Sequence, residues 1–173
     1  MHPKLLLTSF ETWLPHQKSN TSDDLLGKVS RLESFSPTRT LLRKLPVDNK
    51  LATDRTIAAI EQLQPTGILC CGMAEKRSRL TLESQATRGE EILPTTVDLD
   101  TLLPKLAVTE ISHDAGDFVC NHLYYTLLEY LHDRNSNIPC LFVHVPLLDA
   151  NNLAPIVDDF TIVCREIEKF DRA

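Results

Sequence analysis

Cys120 lies in Gly116-Asp117-Phe118-Val119-Cys120-Asn121-His122-Leu123-Tyr124-Tyr125, where a glycine-containing turn runs into a segment patterned as a helix. A thiol at a helix start faces unpaired backbone N–H groups and the positive end of the macrodipole. Both favour thiolate over thiol, which makes Cys120 the strongest nucleophile candidate in the chain. Further on, Pro139-Cys140-Leu141-Phe142-Val143-His144-Val145-Pro146 reads as a buried strand that ends at a histidine and is stopped by proline. Imidazole at such a position can serve as base toward a residue on a neighbouring element. Glu83, at the end of the short apolar run Leu80-Thr81-Leu82, supplies a carboxylate that could hold the ring's tautomer and orientation. Nucleophile, base and orienting group together are the parts of acyl-transfer chemistry. In open α/β sheets such groups gather beyond the carboxyl ends of strands.

The elements that must position them follow from periodicity. Lys4 to Phe10 predicts a buried first strand. A loop from Leu14 to Ser22 leads into a helix from about Asp23 to Leu32, capped by Thr21 or Ser22. Thr40 to Val47 predicts an edge strand ended by Pro46, and Asn49 to Leu63 an amphipathic helix stopped near Pro65. Gly67 to Gly72 is a continuous apolar run of the kind found in central parallel strands. Leu80 to Glu83 and Ala107 to Ser112 are shorter strand candidates, with Gly89 to Asp100 read as an acidic loop between them. The helix carrying Cys120 places Val119, Leu123, Tyr124, Leu127, Leu128 and Leu131 on one face. Pro139 to Val145 is the last strand, and Asn151 to Phe170 holds the last helix. Strands alternating with helices predict one domain over residues 1–173, a three-layer α/β/α sandwich with a mostly parallel central sheet.

Composition excludes several classes of function. An apolar fraction of 42% and a charged fraction of 24% are those of an ordinary globular protein. Net charge of −6, with no basic block, argues against nucleic acid as a partner. No apolar run approaches a membrane span, and the N-terminus lacks a signal-peptide pattern. Five cysteines in apolar segments, odd in number, fit free thiols in a reducing cytoplasm. Cys70, Cys71, Cys140 and Cys164 read as packing residues. His2, His16, His113 and His132 have no metal-ligand spacing, and no glycine loop could cradle a phosphate, so neither metal nor cofactor is expected.

Four segments in order carry a family resemblance. Gly116 to Tyr125 resembles the nucleophile motif of the pyroglutamyl (pyrrolidone-carboxylate) peptidases, cysteine peptidases that remove an N-terminal pyroglutamyl residue. Phe142-Val143-His144-Val145-Pro146 resembles the family's histidine motif, and Arg77-Ser78-Arg79-Leu80-Thr81-Leu82-Glu83 its glutamate segment. Leu7-Thr8-Ser9-Phe10-Glu11-Thr12-Trp13 is similar to its N-terminal Thr-Gly-Phe-x-Pro-Phe signature. The resemblance implies a catalytic triad of Cys120, His144 and Glu83, with the Cys120 backbone N–H helping to hold the oxyanion. It implies that Arg77 lies beside the site and that Phe10, Trp13, Phe118 and Val119 line an apolar pocket for a flat lactam ring. It also implies a peptide with a blocked N-terminus as substrate and homo-oligomers as a form the family takes.

The chain departs from the family at pocket and loop positions. Ser9 replaces the signature glycine, Thr12 its proline and Trp13 its second phenylalanine; Leu14-Pro15 stands where Gly-Gly follows. Met73 occupies a position that is often glutamine, and the family's Asn-Ala-Arg-Ile-Pro-Asp-Asn-Glu-Gly-type stretch is missing between Arg88 and Leu106. The three reacting groups survive. Three functions therefore stand beside one another: pyroglutamyl peptidase, a related amidohydrolase acting on another small N-acyl group, and an inactive peptide-binding descendant.

Overall fold

The structure, a computed structural model, describes residues 4–170. His2, weighed above as a metal ligand, lies outside them. Strand β1 (Leu5–Phe10) is buried along its whole length and pairs in parallel with β2 (Arg39–Leu45) on one side and β3 (Gly67–Met73) on the other. Strand β3 pairs in parallel with a later strand, Cys140–Val145, and β4 (Leu80–Glu83) runs antiparallel to that strand on its far side. Strands β5 (Gln85–Arg88) and β6 (Glu91–Pro94) form a separate antiparallel ribbon, and β7 (Thr109–Ser112) pairs in parallel with β4. With Cys140–Val145 labelled β8, the main sheet has the order β2-β1-β3-β8-β4-β7. The sheet is mostly parallel, as predicted, with its single reversal at β8–β4.

Helices cover both faces. Helices α1 (Thr21–Val29) and α5 (Leu153–Lys169) pack on one face, α2 (Asn49–Leu63) and α4 (Val119–Asp133) on the other. The short α3 (Leu99–Leu102) continues into a 3-10 turn at Leu103–Lys105. Strand alternation divides the core in two. Leu69, Cys71, Leu141, Val143 and Val145 face α1 and α5, whereas Ile68, Cys70, Cys140 and Phe142 face α2 and α4. Gly72 and His144, two residues beyond Cys70 and Phe142, therefore lie on the α4 face. Glu83 lies there too, since Leu80 and Leu82 belong to the opposite cluster.

Two local readings are corrected. The cap of α1 is Asn20, whose side chain accepts from the Ser22 N–H at 3.0 Å, so the helix starts two residues before Asp23. The stretch from Gly89 to Asp100 is not a plain loop. Gly89, at φ 61°, turns the β5–β6 ribbon, and Asp98 caps α3 by accepting from the Thr101 N–H at 3.1 Å. Helix α2 matches its predicted bounds because its signals are strong. Asp48 accepts from the Leu51 N–H at 2.8 Å, and Gln64 ends the helix in the left-handed conformation just before Pro65.

Candidate active site

Cys120 is the second residue of α4, as the sequence predicts. The N-cap residue Phe118 offers no side-chain acceptor, so the first-turn amides have no side-chain partner and remain able to receive an oxyanion. The thiol itself turns down onto the sheet. A Cβ placed on Gly72 would lie 2.5 Å from Cys120 Sγ, so the sulfur occupies the space a side chain would take at that position. Gly72 and His144 are register partners on adjacent parallel strands, which brings sulfur and imidazole to neighbouring positions on one face. No hydrogen bond joins Sγ to the ring among the described residues; unliganded sites are often loose in this way.

His144 Nδ1 lies 2.7 Å from Glu83 Oε1, with both side chains buried. The tautomer that donates Nδ1–H to Glu83 Oε1 leaves Nε2 as the ring nitrogen available for proton transfer. Glu83 reaches the ring from β4, where Thr81 is the residue directly opposite His144 and Glu83 is opposite Phe142. The Phe142 ring flanks the imidazole at 5.0 Å between centroids and restricts its rotation.

Burial outweighs the helix start in setting the state of the thiol. Cys120 is 6% exposed, and desolvation pushes its thiol up to about 12. Cys70 alongside pushes the same way, the Cys120 backbone N–H pulls down, and Glu83 pushes up again. The thiolate that the sequence predicts from the helix start is opposed here by burial, which favours the thiol. Its proton must leave in the course of attack.

The remaining candidates separate into a rim and a floor. Trp13 and Phe118 meet at 5.3 Å between ring centroids, with Phe118 48% exposed. Phe10 and Val119 are buried in the same cluster as Cys120. The loop bearing Trp13 is pinned where Gln17 Oε1 accepts from the Trp13 and Leu14 amides at 2.9 and 3.1 Å, while Gln17 Nε2 donates to Glu75 at 3.2 Å. Arg77 donates to Thr81 Oγ1, to Glu83 Oε1 and, at 2.8 Å, to the Asp114 carbonyl.

Two residues of the site escape a reading of chemistry-bearing side chains. Gly72 carries no functional group, although a glycine inside an apolar strand is itself a signal of close approach. Asn121, next to the thiol, clamps the β5 backbone: its Oδ1 accepts from the Thr87 N–H at 2.9 Å and its Nδ2 donates to the Thr87 carbonyl at 2.8 Å. Asparagine within a helix's first turn, poor as a helix former, was the available clue. Among the described residues no group of three or more His, Cys, Asp or Glu could hold a metal ion.

A buried Glu–His pair beside a cysteine at a helix start, on a largely parallel α/β sheet, is an arrangement that acyl transfer through a cysteine could use. Comparison with known proteins narrows the class. Residues 95–158 match the family model described as pyroglutamyl peptidase. The pyrrolidone-carboxylate peptidase of Vibrio campbellii is 30% identical over 84% of this chain and 79% of its own length. That of Brachyspira hyodysenteriae is 25% identical over 95% and 96%. The chain belongs to the pyroglutamyl peptidase family. The fold agrees: the pyroglutamyl peptidase I of Bacillus amyloliquefaciens superposes with a TM-score of 0.80 at 20% identity, covering 97% of this chain and 96% of that one. The pyrrolidone carboxyl peptidase of Pyrococcus furiosus gives 0.81 at 17% identity, covering 96% and 99%.

Proposed function

We propose that this chain is a cysteine omega-peptidase that hydrolyses the bond after an N-terminal pyroglutamyl residue, using Cys120 as nucleophile, His144 as base and acid, and Glu83 as orienting carboxylate. The carrying observation is the 2.7 Å Glu83–His144 contact, register-matched to the strand position on which Cys120 Sγ rests. Substrate enters with its acyl carbonyl above the thiol. As the S–C bond forms, the thiol proton passes to Nε2, and Glu83 stabilises the imidazolium through Nδ1–H. The carbonyl oxygen gathers negative charge at the uncapped start of α4, where the amides are already oriented. Imidazolium then protonates the departing amine, leaving a thioester. Water, deprotonated by Nε2, attacks the thioester, and the released sulfur regains a proton. Because burial disfavours the free thiolate, formation of the S–C bond itself draws the proton across.

Trp13, Phe118, Phe10 and Val119 would take the acyl group. A lactam ring has two flat faces and one amide edge, and an aromatic rim with an apolar floor suits it. Trp13 in place of a smaller aromatic bears on which acyl group fits, so a different small N-acyl group is the second reading. The substrate in either case is a peptide whose N-terminus is blocked. All five cysteines are free and buried, which suits a reducing compartment, and on that ground we place the protein in the cytoplasm. No helix of the described residues is long and apolar enough to cross a membrane.

The test is release of a chromophore from a pyroglutamyl amide by the wild-type chain and by Cys120→Ala. Turnover is expected only from the former. Equal turnover would remove Cys120 as nucleophile. No turnover by the wild type, together with hydrolysis of another N-acyl amide that Cys120→Ala abolishes, would establish the second reading.

A further inference from the structure

We propose that Arg77 is a positioning residue of this reaction, its guanidinium locking the Glu83 carboxylate to the backbone that leads into α4 and so holding the Glu83–His144 pair in register with Cys120. This role rests on the peptidase reading above. Arg77 Nη1 donates to the same Oε1 of Glu83 that accepts the His144 Nδ1–H, and also to Thr81 Oγ1, while Nη2 donates to the Asp114 carbonyl at 2.8 Å. Asp114 is the corner of the segment before the nucleophile. Its Oδ1 accepts from the Gly116 N–H at 2.9 Å, and Gly116, at φ 75°, turns the chain toward Phe118 and Cys120. One planar fork thus spans the strand of the carboxylate and the approach to the thiol, a geometry a single ammonium head cannot reproduce.

The carboxylate depends on that fork. Glu83 is fully buried and, among the described residues, its Oε2 has no partner, so Arg77 and His144 hold its orientation through Oε1. Arg77 is 24% exposed in its side chain and so is partly shielded from water. Of the other charged side chains of this end, Lys76 and Arg79 on its own loop and Asp114 and Asp117 before α4 are exposed, while Glu75 on the same loop is half-buried and held by His16 and Gln17. The groups facing the imidazole are Glu83 from β4, Cys120 from α4 and, through Glu83, Arg77.

Arg77→Met and Arg77→Lys in the full chain separate charge from geometry. For each, kcat and KM on a pyroglutamyl amide are measured across pH, Tm is recorded, and His144 is titrated by NMR, its signal assigned with His144→Gln. In Arg77→Met, kcat is expected to fall about 10- to 100-fold with KM within about twofold. The His144 resonance is expected to titrate at higher pH than in the wild type, because a fixed positive charge has gone. Arg77→Lys keeps the titration near that of wild type yet recovers only part of kcat, and it carries the test if the Met variant does not fold. Wild-type kcat in Arg77→Met overturns the proposal. So does a rise in KM with kcat intact, which would assign Arg77 to substrate, and so does activity that falls with Tm while His144 titrates unchanged. If the wild type does not turn over the amide, the peptidase reading fails by itself. The imidazole titration then decides alone, a shift supporting the lock and no shift overturning it.

Discussion

Replacing Gly72 with alanine probes the packing on which the site is built. The added methyl would sit 2.5 Å from Cys120 Sγ and 3.0 and 3.1 Å from two atoms of the Phe142 ring. Ordinary contacts between such atoms are about 3.5–4.0 Å, so the sulfur must retreat by roughly 1 Å or rotate off the sheet. Gly72 is not among the positive-φ residues, so the substitution carries no backbone penalty and the cost is steric. A 1 Å misplacement of a reacting atom costs about 100-fold in rate, or close to 3 kcal/mol in barrier. Overpacking should destabilise the fold by about 1–3 kcal/mol, and each kcal/mol lowers Tm by about 2–4 °C in a chain of this size. Turnover of a pyroglutamyl amide and thermal melting read the two effects separately. The same substitution in a Cys120→Ala background should cost less stability, since its nearest obstacle has gone, and the difference measures the sulfur contact. A folded Gly72→Ala enzyme with unaltered kcat/KM, or equal stability loss in both backgrounds, would refute the placement of Sγ against this strand.

Two further outcomes are expected. Burial pushes the thiols of Cys70, Cys120 and Cys164 up to about 12 and those of Cys71 and Cys140 well above their ordinary value. Their contribution is therefore complete below about pH 9 and lost between 9 and 12, where the unfolded chain releases protons that the folded chain keeps. Stability should fall by about 1 kcal/mol per thiol for each pH unit in that window; urea midpoints at pH 8, 9 and 10 check it, and a flat profile would contradict it. Asn121→Ala should cost about 1–3 kcal/mol by stranding the Thr87 N–H and carbonyl, and should speed hydrogen exchange at the Thr87 amide. Unchanged exchange in β5 would show that the clamp does not hold the ribbon.

The long elements were legible because each carries its own pattern. Asn49 to Leu63 has helical spacing between an N-cap and a proline, and Gly67 to Met73 is apolar throughout because both faces of β3 are covered. The β5–β6 ribbon was not legible. Its strands have four residues each, Ala86 is the only one of the eight that is buried, and the acidic character of Gly89 to Asp100 masks the turn. The reversal of β4 against β8 was hidden for a different reason, since residue alternation does not encode strand direction. At the site, the types of Glu83, Cys120 and His144 suggested acyl-transfer chemistry, and the fold brings Glu83 against His144. The effect of burial on the Cys120 thiol did not follow, because that burial comes from packing against other elements, the Gly72 strand among them. Nor did the partners of Arg77, one of which is a carbonyl 37 residues away.

A sulfur atom pressed against a glycine and kept as S–H has a bearing on durability. Peroxides and electrophiles need the same sulfur anion that catalysis needs, and enzymes with an exposed, permanently ionised cysteine lose activity to both. Here burial disfavours that anion and leaves Cys120 6% exposed, so oxidants find little to react with. The close packing that holds the proton on the sulfur also shields it.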